Sequence, residues 1–195
     1  MLTKECLGYL SLVIALVGQV LYLWSIARKH SKPHAFSWLI WSVLNIIAFF
    51  AQYSKGAGPG AWATAFTAFA CFSVTAWALF QGEKDITRSD RITFIGALMT
   101  VPVWYFTQNP LCAVMLIILI DALGYWPTFR KSYFRPREEM ISTYVLGTVK
   151  FIFSLLAMEN YSLVTALYPA FMIAGNTVFI AMVVWRRSVI TAADT

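Results

Sequence analysis

Long apolar stretches alternate with short polar ones along the whole chain. A membrane helix needs about 20 mostly apolar residues. Seven stretches approach or meet that length: Leu7–Ile26, Ala35–Tyr53, Ala61–Phe80, Ile92–Thr107, Leu111–Thr128, Ile141–Met158 and Ser162–Trp185. Polar, glycine or proline punctuation separates them, as at Arg28–His34, Ser54–Gly60 and Gln81–Arg91. The fourth stretch is the shortest, and Pro102 is expected to break it. The pattern predicts an all-α polytopic membrane protein with seven transmembrane helices and little chain left for a soluble domain. Leu7–Ile26 reads as a span rather than a cleaved signal peptide. Lys4 and Glu5 cancel in front of it, and its apolar run exceeds the usual h-region of about 7–15 residues.

Composition agrees. The 195 residues are 59% hydrophobic and 12% charged, against about 45–50% apolar and about 25% charged in soluble domains. A water-soluble globule, a disordered chain and a nucleic-acid binder are excluded, and the lipid bilayer is the expected partner. Cys6, Cys71 and Cys112 lie in or beside apolar runs and form neither a metal-ligand spacing nor a disulfide framework. His30 and His34 share a loop with no carboxylate or cysteine beside them, so no metal is expected there. No cofactor is called for. No Ser/His/Asp or metal-ligand set lies within the spans, so an enzyme is not expected.

The net charge of +6 gains meaning from its distribution. With seven spans, one side receives Lys4 and Lys55. The other receives Arg28, Lys29, Lys32, Lys84, Arg88, Arg91, Arg130, Lys131, Arg135, Arg137, Arg186 and Arg187. Lysine and arginine collect on the cytoplasmic side. This predicts the N-terminus outside and the C-terminus inside, in a plasma or inner membrane.

Two segments repeat. Trp24 is followed by Arg28-Lys29 and then Lys32-Pro33, and Trp126 by Arg130-Lys131 and then Arg135-Pro136, an offset of 102–103 residues. Spans one to three and five to seven also match in length. The expected organisation is a first three-helix repeat over 1–83, a linker helix over 84–108 and a second repeat over 109–195. The linker lets two odd-numbered units run parallel.

This 3+1+3 arrangement resembles the SWEET and PQ-loop transporters, a group that includes the KDEL receptors and cystinosin. The segment Trp126-Pro127-Thr128-Phe129-Arg130-Lys131-Ser132 is similar to their proline-and-basic turn, with Thr128 where glutamine is common. The first copy departs further, with Ser25 in place of the proline. The resemblance implies transport by alternating access, a gating role for Pro127, and a substrate-binding asparagine in the third helix of each repeat. Asn176 occupies that place in the second repeat, and Cys71 stands in its place in the first.

Polar residues inside spans are expensive and usually face a cavity or a partner. Asp121 lies mid-way along span five and Lys150 mid-way along span six, at similar depth. They are expected to approach within ion-pair distance or across one water, as a structural lock or as part of the substrate path. Helical spacing puts Asp121 on a stripe with Gly124, Tyr125 and Thr128, and Lys150 on one with Thr143, Gly147 and Ser154. Gln19 matches Asp121 in the first repeat, and Asn45 is the polar residue nearest the match of Lys150. Cys71 shares a stripe with Thr64, Thr67 and Thr75.

The function predicted is a facilitator or proton-coupled carrier of a small polar solute such as a sugar or amino acid. Asn45, Cys71, Asp121, Lys150 and Asn176 would contact the solute, with Gln19 and Tyr125 nearby. The charges favour a zwitterionic or proton-linked solute over a neutral sugar. Two other classes compete: a receptor or sorting protein on the same bundle, and, further behind, a retinal-type photoreceptor. The pattern also leaves room for a homo-oligomer.

Overall fold

The computed structural model describes residues 3–29, 33, 35–81, 88–138 and 140–190. Among them it is all-helical: α1 (Lys4–Ala27), α2 (Ala35–Ser54), α3 (Trp62–Gln81), α4 (Arg88–Thr107), α5 (Pro110–Phe134), α6 (Ile141–Leu156) and α7 (Leu163–Val189). Short 3-10 turns at Gly58–Ala61 and Pro136–Glu138 precede α3 and α6. Five segments are long and apolar enough to cross a membrane: Lys4–Ala27, Ala35–Ser54, Gly58–Gln81, Pro110–Phe134 and Leu163–Val189. The chain is a membrane-embedded helical protein. Phe94–Thr107 and Ile141–Leu156 are shorter apolar helices.

The helix ends follow local chemistry. Thr3 caps α1 by accepting from the Cys6 amide at 3.2 Å, and Ser162 and Thr165 form a reciprocal capping box at the start of α7. The turn between α4 and α5 is set by Gln108 at φ 50, by Asn109 accepting from the Leu111 amide at 3.0 Å, and by Pro110 opening the next helix.

Three sequence expectations need correction. Pro102 does not break the fourth element, which runs unbroken from Arg88 to Thr107. A proline removes one backbone bond, and a helix with apolar packing on α2 and α5 tolerates that. The fifth element does not stop at Thr128. It continues through Pro127 and the basic residues to Phe134, so the Arg130-Lys131 segment is helix rather than turn. One of its last carbonyls finds a partner on α7, Arg186 Nε donating to Tyr133 O at 2.8 Å, and Arg187 Nε donates to Pro136 O of the following turn at 2.9 Å. The sixth element ends at Leu156 rather than Met158.

The packing order is the same in both groups of three. α3 packs on α1 and on α2, and α7 packs on α5 and on α6. Between the groups, α1 meets α6, α2 meets α5, α2 touches α7 and α3 touches α6. Exchanging α1 with α5, α2 with α6 and α3 with α7 returns this same set of contacts. α4 stands outside the exchange, against α2 and α5. The main hydrophobic core joins the groups through Leu44, Ile47 and Ala48 of α2, Val114 and Ile117 of α5, Phe151 of α6 and Tyr168 of α7.

The loops separate onto two faces. On the N-terminal face, Lys4 Nζ donates to Leu156 O at 2.8 Å, and Asn160 Nδ2 donates to Lys55 O at 3.0 Å. This gathers the start of α1, the α2–α3 turn and the α6–α7 turn. The opposite, basic face carries Arg28, Lys29, Arg135, Arg137, Arg186 and Arg187 at or beyond the ends of α1, α5 and α7.

Candidate functional site

Polar side chains from five helices meet in one layer between the two groups. Asp121 on α5, Asn45 on α2, Cys71 on α3 and Asn176 on α7 are all buried. Lys150 on α6 is half-buried.

Asn45 is oriented by its own helix. Its Nδ2 donates to Trp41 O at 2.9 Å, which leaves its Oδ1 free to accept from the Tyr168 hydroxyl of α7 at 3.4 Å. The same hydroxyl lies within reach of the Asp121 carboxyl, and its one proton serves one of the two acceptors at a time. Tyr168 thus stands between α2 and α5 as one fully buried side chain.

Lys150 turns to the other group of helices. Its Nζ donates to Thr67 Oγ1 on α3 at 2.9 Å and lies 4.3 Å from the centre of the Phe151 ring. Thr67 can accept because its own proton goes to Ala63 O at 2.7 Å. The expected ion pair does not form: Lys150 is held by Thr67, and Asp121 by Tyr168. Depth alone, which the sequence supplies, does not fix the rotation of α5 and α6 about their axes. Cys71 is buried one turn along α3 from Thr67.

On α7, Asn176 Oδ1 accepts from the Tyr125 hydroxyl of α5 at 2.6 Å. Its amide nitrogen abuts Gly147 of α6, where a Cβ would approach to 3.0 Å. The glycine leaves room for the asparagine. In the first group Tyr22 of α1 packs on Trp38 of α2, with ring centres 4.9 Å apart.

Six of the sequence-predicted residues thus converge: Asn45, Cys71, Asp121, Tyr125, Lys150 and Asn176. Gln19 does not join them. It stays within the first group, its Nε2 donating to Ser73 Oγ at 3.2 Å and Ala70 O at 3.4 Å. Pro127 lies within α5, and its side chain is outside the described residues, as is that of Trp126. Two members escaped the sequence reading. Tyr168 looks like one more apolar aromatic before Pro169, although a tyrosine hydroxyl deep in a span needs a partner. Thr67 shares the Cys71 stripe but carries no charge to attract notice.

Among the described residues, no three His, Cys, Asp or Glu side chains come together in a way that could hold a metal ion. The layer offers one acid, one base, two amides, a thiol and hydroxyls, a set suited to hydrogen-bonding a polar molecule. No protein-family model, curated protein or solved structure matches the chain.

Proposed function

We propose that this protein is a seven-span transporter of a small polar solute, working by alternating access as a facilitator or proton-coupled carrier. Its halves are two parallel three-helix repeats over about residues 1–83 and 109–195, joined by α4 as a linker helix. The supporting observation is the exchange of contacts. Every helix pairing between the groups has its counterpart under the swap of α1–α3 for α5–α7, and the polar layer lies where the groups meet. A two-fold arrangement of this kind gives a chain two related ways to close, one on each side of a central site.

In this reading Asn45, Asp121, Tyr168, Lys150, Thr67 and Asn176 contact the solute, with Cys71 and Tyr125 at its edge. Each polar group there is costly in a membrane-embedded bundle, and a polar solute offers it a hydrogen-bond partner. The twelve basic residues beyond the spans on one side, against Lys4 and Lys55 on the other, support a cytoplasmic C-terminus.

The test is a metabolite screen on the purified protein read as thermal stabilisation, since a ligand of the folded state raises stability by mass action. Each hit is then followed as flux into liposomes. A stabilising solute that is carried, and whose flux falls in Asn176→Leu and Asp121→Asn, supports the reading. Failure of every hit to cross the liposome membrane refutes it.

A further inference from the structure

α7 carries a buried proline in its interior, Pro169. A proline has no N–H, so the helical bond that residue 169 would give to Thr165 O, four residues back, is missing. Thr165 is fully buried, so bulk water does not replace that bond. Gln52 of α2 does: its Nε2 donates to Thr165 O at 3.4 Å. Prolines are tolerated in membrane helices where a neighbouring helix meets the freed carbonyl in this way.

Gln52 is an expensive side chain to bury. It is fully buried, and its Oε1 has no hydrogen-bond partner among the described residues. The Thr165 carbonyl only accepts, which fixes the amide nitrogen as the end that faces it. An apolar side chain of similar size would strand no oxygen there. What Gln52 contributes is the donor.

The two sides of Pro169 are tied to different groups of helices. Before the proline, α7 is bonded to α2, through Thr165 O to Gln52 and through the Tyr168 hydroxyl to Asn45 Oδ1 at 3.4 Å. Asn45 and Gln52 are seven residues apart and share one face of α2. After the proline, α7 is bonded to α5. Asn176 accepts from Tyr125 at 2.6 Å, and Arg186 donates to Tyr133 O at 2.8 Å. Phe179 also packs edge-on against Phe129 of α5, with ring centres 5.1 Å apart. Pro169 therefore stands at the junction of a segment anchored on the first group and a segment anchored on the second. Helices bend most readily at such a residue, because one backbone bond is already gone.

We infer that Pro169 is a hinge in α7 and that Gln52 is the clasp that holds it. With the clasp made, residues 163–168 stay with α2, and the Tyr168 hydroxyl meets Asn45. With the clasp open, that segment turns on Pro169 independently of the longer arm. The same hydroxyl, with one proton and two acceptors in reach, then passes to Asp121. A hinge of this kind lets one helix follow the first group at one end and the second group at the other. The inference does not depend on any solute being carried.

Hydrogen–deuterium exchange of the full chain in detergent, read by mass spectrometry, tests it. Amides 170–173 report the hinge, and amides 178–183 of the same helix serve as the reference. Gln52→Met removes the donor and keeps much of the side-chain volume. It should speed exchange at 170–173 about tenfold, through an open state otherwise populated at about 0.1–10%, and leave 178–183 unchanged. Pro169→Ala returns an N–H to Thr165 O. In that protein 170–173 should exchange more slowly, and Gln52→Met should add nothing. A glutamine that merely supports the fold would speed both segments together. Unchanged exchange at 170–173 in Gln52→Met, equal acceleration of the two segments, or the same Gln52→Met effect in folded Pro169→Ala protein would each overturn the hinge. If Pro169→Ala does not fold, the pattern in Gln52→Met decides alone. Liposome flux is scored separately, so a failed hinge and a failed transporter give different results.

Discussion

Lys150 gives its ammonium group to Thr67 of the opposite three-helix group at 2.9 Å, while Asp121, at matching depth, is bound by Tyr168. Two opposite charges in one buried layer thus keep separate, neutral partners. Lys150 is anchored across the boundary between the groups, whereas Asp121 keeps a partner within its own.

The first prediction concerns how these charges combine. A buried pair loses about 3–5 kcal/mol when one partner is removed, because the other is stranded. Separate sites add, within about 0.3–0.5 kcal/mol. Asp121→Asn and Lys150→Met should therefore destabilise additively in reversible unfolding in detergent. A double variant more stable than either single one would restore the ion pair.

Tyr168→Phe removes the hydroxyl that Asn45 and Asp121 share. Leaving buried polar groups unmet costs about 1–3 kcal/mol each. The variant should unfold at lower denaturant and lose solute stabilisation, whereas Tyr161→Phe, at the exposed N-terminal face, should keep it. Equal effects of the two substitutions would remove Tyr168 from the site.

The bond from Tyr125 to Asn176 predicts a measurable coupling. Interhelical hydrogen bonds in membranes average about 0.6 and reach about 1.7 kcal/mol in double-mutant cycles. A cycle of Tyr125→Phe and Asn176→Leu should fall in that range. Gly147→Ala, whose methyl would press on the Asn176 amide, should weaken solute stabilisation with little loss of folded yield. A coupling indistinguishable from zero would mean that the contact contributes nothing.

Orientation gives a fourth test. A fluorescent-protein fusion to the C-terminus should fluoresce and an alkaline phosphatase fusion there should be silent, as the basic loops require on the inner side. The reverse outcome would invert the topology.

The helices were legible because lipid demands long apolar runs, and α2 was read to within a residue at its C-terminal end. Asp121, Lys150, Asn45 and Asn176 were legible for the complementary reason: polar groups in such runs are rare. The separation of Asp121 from Lys150 was not, because it depends on how far each helix is rotated about its axis, which depth does not encode. Tyr168 hid because its ring satisfies the apolar pattern while its hydroxyl does the binding. The continuation of α5 hid because Arg130 and Lys131 look like a membrane edge, whereas the Tyr133 carbonyl near its end is met by Arg186, more than fifty residues away.

That continuation also gives the molecule an uneven outline. At 1.5 Å per residue, the 25 residues of α5 and 27 of α7 make rods of about 37 and 40 Å, longer than a hydrocarbon core of about 30 Å. α2 and α3, with 20 residues each, match that thickness. The ends of α5 and α7 are strapped together at the basic end, forming a stiff mast. A tilt of that half sweeps the tip of the mast through a wider arc than any point inside the bilayer. A probe fixed near Arg137 would therefore magnify small rocking motions into displacements that distance spectroscopy can resolve.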